Sequence, residues 1–314
     1  MSHDLSAHFG CAACRDVVWA HAVNSRAALD LALGDSGVHM LEADLMLAPA
    51  RSGTPDAAVP TAEDVIMCHP PASRSDITFD AFLRRVVRAV RAGRVVGVKL
   101  DFKHPDAVAP ALALLRREGL GRVGSSSSPG GGSKETSEST SPEAARVASI
   151  PVWLNADVIR GPGGREPVHP DGAAFVAACV DACPASTLSL GWTHAGTPRL
   201  GYTRDMAARM LALIEPVAQH VTLAASAAHL FASARGARRA LLDVVERAAG
   251  GDDDATRARR SLTLWGPATR GVTRWAEGEL SPERTFVDVK ACTALEALVI
   301  GAHVALRPAY APFW

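Results

Sequence analysis

Pairs of charged residues spaced two apart in short apolar runs carry the clearest chemical signal in the sequence. Glu42 and Asp44 form one pair, and Asp101 and Lys103 form another. Residues two apart on a strand point to the same face, so each pair presents its side chains together. Three converging carboxylates would repel one another unless a hard divalent cation bound between them. We therefore predict that Glu42, Asp44 and Asp101 bind Mg²⁺ or Ca²⁺, since zinc would recruit imidazole or thiolate.

Two histidines at the ends of short apolar runs could move protons at the same site. His21 and His69 carry the side chain whose unperturbed pKa lies nearest neutrality, so one can act as base and the other as acid. The ammonium of Lys103 could bind a phosphate oxygen. Together these groups favour attack on a phosphodiester. The alternative for the acids is a buried salt-bridge cluster with Lys99, Lys103 or Arg160.

An alternation of strands and helices must position these residues. Short β-branched runs alternate with stretches in which apolar residues recur every three or four positions, which is typical of parallel βα units. We predict eight strands, at Val17–His21, Met40–Leu45, Val95–Asp101, Pro151–Asp157, Thr187–Gly191, Val221–Ala225, Ser261–Trp265 and Thr285–Val289. We predict helices at Ser25–Leu33, Thr78–Ala92, Ala107–Glu118, Asp171–Ala182, Thr203–Ala218 and Ala234–Ala249. The fold class is therefore α/β, a (β/α)8 TIM barrel, whose active site would lie at the carboxyl ends of the strands.

The whole chain, residues 1–314, fits a single barrel domain. A short run at Val65–His69 would form a β excursion after the second strand. We expect residues 1–15 to be flexible and residues 124–147, which begin with a Ser/Gly-rich stretch, to form a disordered insertion. The insertion falls between a helix and the next strand, which is the end of a barrel away from the active site.

Further candidates lie at the predicted strand ends. Trp192 and Trp265 could form an apolar wall for a substrate, although packing between barrel and helices is the alternative for both. Asn155 and Asp157 share one face of the fourth strand. They could line the site or hold the glycine-rich loop at residues 161–164.

Composition excludes several classes of protein. Lys+Arg 33 balance Asp+Glu 33, so the chain has no general attraction to nucleic acid or to an anionic membrane surface. No apolar run is long enough to span a membrane, and residues 1–10 lack the apolar core of a signal peptide, which favours a cytoplasmic location. Cys11 and Cys14 form a CxxC, but no second metal-binding motif accompanies it. We expect a small phosphodiester as ligand, and a protein partner remains open.

Several segments resemble the menorin family, also called family with sequence similarity 151. They are HAVNS at residues 21–25, MLEADL at 40–45, GVKLDFK at 97–103, PVWLNADVIRGPG at 151–163 and LSLGWT at 188–193. The family in turn resembles the glycerophosphodiester phosphodiesterases, barrels with two catalytic histidines and a metal held by acids. The resemblance implies that His21 and His69 are the two histidines. It also matches Glu42 and Asp44 to the acidic metal pair and Asp101 with Lys103 to the acid-x-lysine motif.

The chain departs from that wider superfamily at two points. Many glycerophosphodiesterases have Arg-Gly after the first histidine, where this chain has Ala22 and Val23. By position, Asn24 or Asn155 could supply the missing hydrogen-bond donor to phosphate. The third acid is Asp101 rather than glutamate, as in the venom phospholipase D branch, so metal binding is implied more directly than glycerophosphodiester specificity.

These observations predict a metal-dependent phosphodiesterase that uses two histidines as acid and base. A catalytically silent binding or signalling module that keeps the acidic barrel mouth for a ligand is the alternative. A third hypothesis is a Schiff-base lyase built on Lys99 or Lys103, which would need a neutral lysine. Nearby carboxylates would keep either lysine charged and argue against it.

Overall fold

The protein forms a barrel of parallel strands surrounded by helices. The computed structural model describes residues 5–49, 59–122, 141–194, 200–246 and 260–291. Strands are β1 Trp19–Ala20, β2 Met40–Leu47, β3 Val65–Met67, β4 Gly97–Phe102, β5 Val152–Arg160, β6 Thr187–Thr193, β7 Val221–Ser226, β8 Arg260–Ala268 and β9 Thr285–Ala291. Eight of them run parallel in the order β1-β2-β4-β5-β6-β7-β8-β9. This nearly closed barrel confirms the predicted fold class.

Helices follow the strands as parallel βα connections require. They are α1 Leu5–Phe9, α2 Arg26–Gly34, α3 Phe79–Arg91, α4 Val108–Arg117, α5 Pro142–Ala148, α6 Gly172–Ala182, α7 Arg204–Ile214, α8 Ala227–Ala232, α9 Arg235–Glu246 and α10 Arg270–Glu279. Four of the long helices begin after a side chain that accepts a hydrogen bond from a backbone N–H three residues on: Ser25, Thr78, Asp171 and Thr203. Such N-caps explain why these helices start where the sequence predicts.

The short β excursion after the second strand is also present. Strand β3 runs antiparallel to β2, with Leu45 opposite Met67 and Leu47 opposite Val65. Beyond β3, the Cys68 N–H donates to the Asp44 carbonyl at 2.9 Å. The excursion therefore returns the chain to β2, the strand that carries Glu42 and Asp44. It places His69 at the same end of the barrel as Asp44.

Alternation along the strands separates the two sides of the barrel wall. Leu41, Ala43 and Leu45 of β2 face outward into the core shared with the helices. Met40, Trp153 and Phe286 meet inside the barrel, where the Trp153 and Phe286 rings lie 4.9 Å apart. The interior is therefore apolar near the amino ends of β2, β5 and β9, whereas Thr187, Thr222 and Ser261 line it on β6, β7 and β8. The acidic positions are nearer the carboxyl ends, at the end we call the mouth.

The N-terminal segment contains regular structure within the range for which we expect flexibility. From residue 5 onward it forms α1 and a 3-10 turn at Cys14–Asp16. Leu5 and Cys14 are buried against Met40 and Trp153 at the barrel floor, and the Cys14 thiol donates to the Glu283 carbonyl at 2.8 Å. Its scattered apolar residues lack a helical repeat, so the sequence carries no sign that they fill the barrel's open end.

The predicted insertion at residues 124–147 falls largely outside the described residues. Its end differs from the prediction, since α5 begins at Pro142 and buries Val147. The Ser141 hydroxyl caps this helix by accepting from the Ala144 N–H. Helices α1, α5, α8 and α10 lie outside the predicted set. The three shortest, α1, α5 and α8, are too short for their apolar spacing to identify them.

Candidate active site

The barrel mouth brings the three predicted metal ligands together. Glu42 and Asp44 lie on β2 and Asp101 on β4, with Asp44 and Asp101 paired in register. One carboxylate oxygen from each lies within 4.8 Å of the other two. All three residues are buried. This arrangement offers three oxygen ligands to a single hard cation.

Backbone and amide groups of the β1–α2 loop hold two of these acids in place. The Ala22 N–H donates to Glu42 Oε2 at 2.9 Å. The Asn24 side-chain amide donates to Asp44 Oδ2 at 2.7 Å, and its carbonyl oxygen accepts from the Asp44 N–H at 2.9 Å. Asn24, expected to contact phosphate, is thus engaged with Asp44 through both ends of its amide. Asn24 therefore orients Asp44, a predicted metal ligand, as residues behind a metal site commonly do.

The loop that supplies these donors contains a residue in the left-handed region. Ala22 has φ of 53°, a conformation that costs a residue with a Cβ about 1–2 kcal/mol. The turn closes with the Asn24 N–H donating to the Ala22 carbonyl at 2.7 Å. Such strain is common where a backbone must present a group to a functional site. Here it points the Ala22 N–H at Glu42.

Burial and mutual repulsion make the acids hard to ionise together. Burial, followed by the charge of Glu42, raises the pKa of Asp44 to about 7. Burial also acts to raise the pKa of Asp101, but Lys103 and Lys99 outweigh it and lower that pKa. The site therefore stabilises one carboxylate with lysines and leaves another short of positive charge.

The charged groups at the mouth carry more negative than positive charge. Five carboxyl groups take part: Glu42, Asp44, Asp101, Asp157 and Asp288. The cationic groups coupled to them are Lys99, Lys103 and His21. With these groups ionised, two negative charges remain in excess, which equals the charge of one divalent cation. The donor set and its charge both fit Mg²⁺ or Ca²⁺.

Lys103 lies among the acids at the upper edge of the cluster. Its Nζ is 2.6 Å from Asp101 Oδ2 and 3.7 Å from Asp44 Oδ1. Burial acts to lower its pKa, but Asp101, Asp44 and Asp157 outweigh it, so the pKa is raised and the ammonium stays charged. A charged lysine suits an electrostatic role and argues against a Schiff base. The ion pair also means that the salt-bridge alternative describes part of this site.

Lys99 and Arg160 were the other two cations that the sequence offered as partners of the acids. Lys99 lies inside the barrel and Arg160 outside it. Lys99 is 4% exposed, and its Nζ lies 5.9 Å from the centre of the Trp19 ring. Arg160 is exposed and pairs with Glu166 at 3.1 Å. Lys99 therefore contributes positive charge beneath the acids.

His21 is held between two carboxylates across the seam between β1 and β9. Its Nδ1 lies 2.9 Å from Asp288 Oδ2 and 3.3 Å from Glu42 Oε2. Burial acts to lower its pKa, but Glu42 and Asp288 outweigh burial and raise the pKa to about 9. Asp288 is not among the site residues predicted from the sequence. The available signal was its spacing of two from Phe286 on the last predicted strand.

His69 has the opposite electrostatic character. Burial, followed by the charge of Lys103, lowers its pKa. Its Nδ1 lies 2.6 Å from the Pro70 carbonyl oxygen, so the neutral ring donates from Nδ1 and carries its lone pair on Nε2. The mouth thus combines one histidine that favours the protonated form with another that favours the neutral form.

Asn155 and Asp157 both face the barrel interior. The Ser189 hydroxyl donates to Asn155 Oδ1 at 2.6 Å, and Asn155 hydrogen-bonds to Asp101 and helps lower the pKa of that acid. A Cβ on Gly191 would lie 2.6 Å from Asp157 Oδ1, so glycine there leaves room for the carboxyl. Burial raises the pKa of Asp157 to about 7, against the effect of Lys103.

The two tryptophans differ in position. Trp192 is 0% exposed, donates its indole N–H to the Met206 carbonyl at 3.3 Å and packs on Tyr202. It therefore lies between barrel and helices, and the prediction that it forms a substrate wall is corrected to a packing role. Trp265 is partly exposed at the mouth, where its ring lies 4.7 Å from that of His194.

No helix within the described ranges is both long and apolar enough to cross a membrane.

Comparison with known proteins identifies the family. The model of the menorin N-terminal domain matches residues 14–122 and 138–290, which include every site residue named above. The human Protein FAM151B is 31% identical to this chain over 216 residues, which cover 68% of the chain. The match spans 63% of the length of that curated relative. The chain belongs to the menorin family.

Proposed function

We propose that the protein is a metal-dependent phosphodiesterase. The observation that carries the proposal is the convergence of the Glu42, Asp44 and Asp101 carboxylates within 4.8 Å, beside histidines whose pKa values shift in opposite directions. The barrel fold supports an extension of the family resemblance to the glycerophosphodiester phosphodiesterase superfamily. Mg²⁺ or Ca²⁺ held by the three acids would stabilise negative charge on the phosphoryl oxygens.

His69 is the base in this proposal. Its lowered pKa keeps the ring neutral near pH 7, so Nε2 can accept the proton of the attacking hydroxyl. That hydroxyl belongs either to water or to a neighbouring group of the substrate, and the latter would yield a cyclic phosphate.

His21 is the acid that protonates the leaving oxygen. Its raised pKa keeps the ring charged, and Asp288 accepts the Nδ1–H, which orients Nε2 for proton donation. Asp288 therefore acts as a positioning residue, like the carboxylate behind the histidine of a serine protease. Lys103, held by Asp101, adds a fixed positive charge for the phosphate.

Metal binding and turnover together test the proposal. Titration calorimetry of Mg²⁺ and Ca²⁺ into chelator-treated protein should detect a site that Asp44→Asn weakens. A panel of phosphodiesters, with product detection by mass spectrometry, should then give turnover that chelation abolishes.

The histidine variants test the proton transfers. His21→Ala and His69→Ala should each lower turnover by about 10²–10⁴-fold, whereas His39→Ala at the barrel floor should not. Near-wild-type turnover in both site variants would refute the mechanism. Metal binding without turnover of any phosphodiester would instead favour the silent binding or signalling module.

A further inference from the structure

A group of aromatic and imidazole rings lies at the mouth outside the site described above. We define this ring group as His194, which follows β6, His229, which lies in α8 after β7, and Trp265 of β8. The His194 ring centre lies 4.7 Å from that of Trp265 and 5.6 Å from that of His229. The three predicted metal ligands occupy β2 and β4, so the ring group lines a different arc of the barrel.

The ring group is connected to the proposed acid, His21, through the neighbouring strand β9. Trp265 is the register partner of Asp288, and Asp288 accepts the hydrogen bond from His21 at 2.9 Å. Phe286, two residues before Asp288, packs on Trp153 inside the barrel, so this face of β8 and β9 points inward. The Trp265 side chain therefore lies one strand away from the group that would protonate the leaving oxygen.

Hydrogen bonds fix the ring group on its supporting loops. His194 forms a backbone bridge with Gly163. The His229 Nδ1–H donates to the Leu200 carbonyl at 2.6 Å. The backbone N–H of Ser226, the register partner of Trp265, donates to the Tyr202 hydroxyl at 2.9 Å. A surface held in this way can receive a flat group with little loss of side-chain entropy.

We propose that the ring group binds the alcohol that leaves the phosphate, and that this alcohol carries a planar aromatic ring. The inference rests on the proposed function, because it assigns the leaving oxygen to the His21 side of the mouth. The structure thus adds His194 as a residue that determines specificity, beside Trp265.

The chemistry of these rings favours an aromatic alcohol over one with a quaternary ammonium or a saturated chain. The Trp265 indole and the His194 imidazole offer flat faces and polar edges, which suit stacked and edge-to-face contacts with another ring, and the buried His229 packs behind His194. A quaternary ammonium binds best over the face of Trp, Tyr or Phe, and of these three ring types the ring group offers only the Trp265 indole. A saturated chain would make contact without the preferred geometry of paired rings.

Two esters of similar size separate these classes. Methyl 2-phenylethyl phosphate and methyl 2-cyclohexylethyl phosphate release primary alcohols of similar acidity, so their intrinsic reactivities are alike. We expect kcat/KM with metal to favour the phenyl ester by about threefold to tenfold, the strength of one aromatic pair. A quaternary ammonium ester of the same length should also be a poorer substrate than the phenyl ester.

Variants of the ring group connect the preference to these residues. His194→Leu and Trp265→Leu should each reduce the preference toward one, and the histidine variant serves if loss of the tryptophan impairs folding. Trp275→Leu is the matched control, because Trp275 lies on α10 against Arg238, outside the mouth, and should leave the preference intact.

Binding of the monoesters separates this inference from the proposed function. Calorimetry on metal-loaded protein should find that 2-phenylethyl phosphate binds about threefold to tenfold more tightly than 2-cyclohexylethyl phosphate. This preference without turnover would support the ring group and count against the phosphodiesterase. Turnover without any preference, or a preference unchanged by His194→Leu and Trp265→Leu, would overturn the ring group and leave the phosphodiesterase standing.

Discussion

His21 and Asp288, 267 residues apart in the chain, form a hydrogen bond of 2.9 Å between Nδ1 and Oδ2. The bond joins the first and last strands of the barrel, so it forms only when the barrel is assembled. The same contact raises the pKa of His21 and orients its ring. Barrel closure and the protonation of the proposed acid are therefore linked.

Replacement of Asp288 by asparagine should uncouple the protonation of His21 from barrel closure. Asp288→Asn keeps the shape of the side chain but removes its charge, so the pKa of His21 should fall from about 9 toward 6.5. NMR titration of the metal-free protein would measure this change. Turnover should fall about 10- to 100-fold, as is typical for loss of an orienting partner.

An exposed pair supplies the control for that titration. Asp106 lies 4.0 Å from His104 at the surface, and Asp106→Asn should leave the titration of His21 unchanged. An unchanged pKa of His21 in Asp288→Asn would show that another group holds its proton.

The metal-free protein should become less stable as the pH rises from about 4 to 7. The Asp44 carboxyl has an ordinary pKa of 3.8 and a folded pKa of about 7, so the folded state holds a proton that the unfolded state has lost. The free energy of unfolding therefore falls over this range. Asp157, with a folded pKa of about 7, acts in the same direction.

Added Ca²⁺ or Mg²⁺ should restore the lost stability, since the cation replaces the protons as counter-charge. Thermal unfolding with chelator and with metal, measured at several pH values, should show a difference in Tm that grows with pH. Asp44→Asn should flatten the pH dependence of the chelated protein. A difference independent of pH would argue that the cation binds elsewhere.

A larger side chain at Ala22 should disturb the acidic cluster through the backbone. Ala22→Val places a β-branched residue at φ of 53°, where valine is strongly disfavoured. Beyond the cost that alanine already carries, we expect valine to lower stability by about 1–2 kcal/mol and to weaken metal binding, because the Ala22 N–H holds Glu42. Chemical denaturation and calorimetry would measure the two effects.

Two comparison variants show whether backbone strain causes the effects of Ala22→Val. Ala22→Gly should leave stability and metal binding close to those of the wild type, because relief of the left-handed strain offsets the greater conformational entropy that glycine loses on folding. Ala174→Val, on an exposed position of α6, should cost only a few tenths of a kcal/mol, about the difference in helix propensity. Equal losses in both valine variants would rule out backbone strain at Ala22.

A methyl group on Gly191 should displace the carboxyl of Asp157. The added Cβ would lie 2.6 Å from Asp157 Oδ1, so Gly191→Ala forces a shift at the mouth and should lower stability by about 1–3 kcal/mol. Gly278→Ala is the control, since nothing lies within 4 Å of its added Cβ. It should stabilise α10 by about 0.5–1 kcal/mol. A stable Gly191→Ala protein with unchanged metal binding would contradict the close fit.

The sequence by itself predicted the barrel and much of its acidic centre. Spacing of two placed Glu42 with Asp44 and Asp101 with Lys103 on common strand faces, and βα alternation placed those faces at one end of a barrel. Both follow from local periodicity, which a single sequence records. The convergence of the three acids also needs only the neighbouring positions of β2 and β4.

Only the tertiary structure decided contacts across the barrel and the direction in which buried strands face. Alternation places Trp192 on the face of Leu188 and Leu190 and Trp265 on the face of Ser261 and Thr263. Only the assembled barrel showed that the first face points outward to the helices and the second inward. Likewise, Asn24 meets Asp44 because a strained loop folds back on β2. Asp288 reaches His21 because the barrel closes, and closure depends on all the strands together.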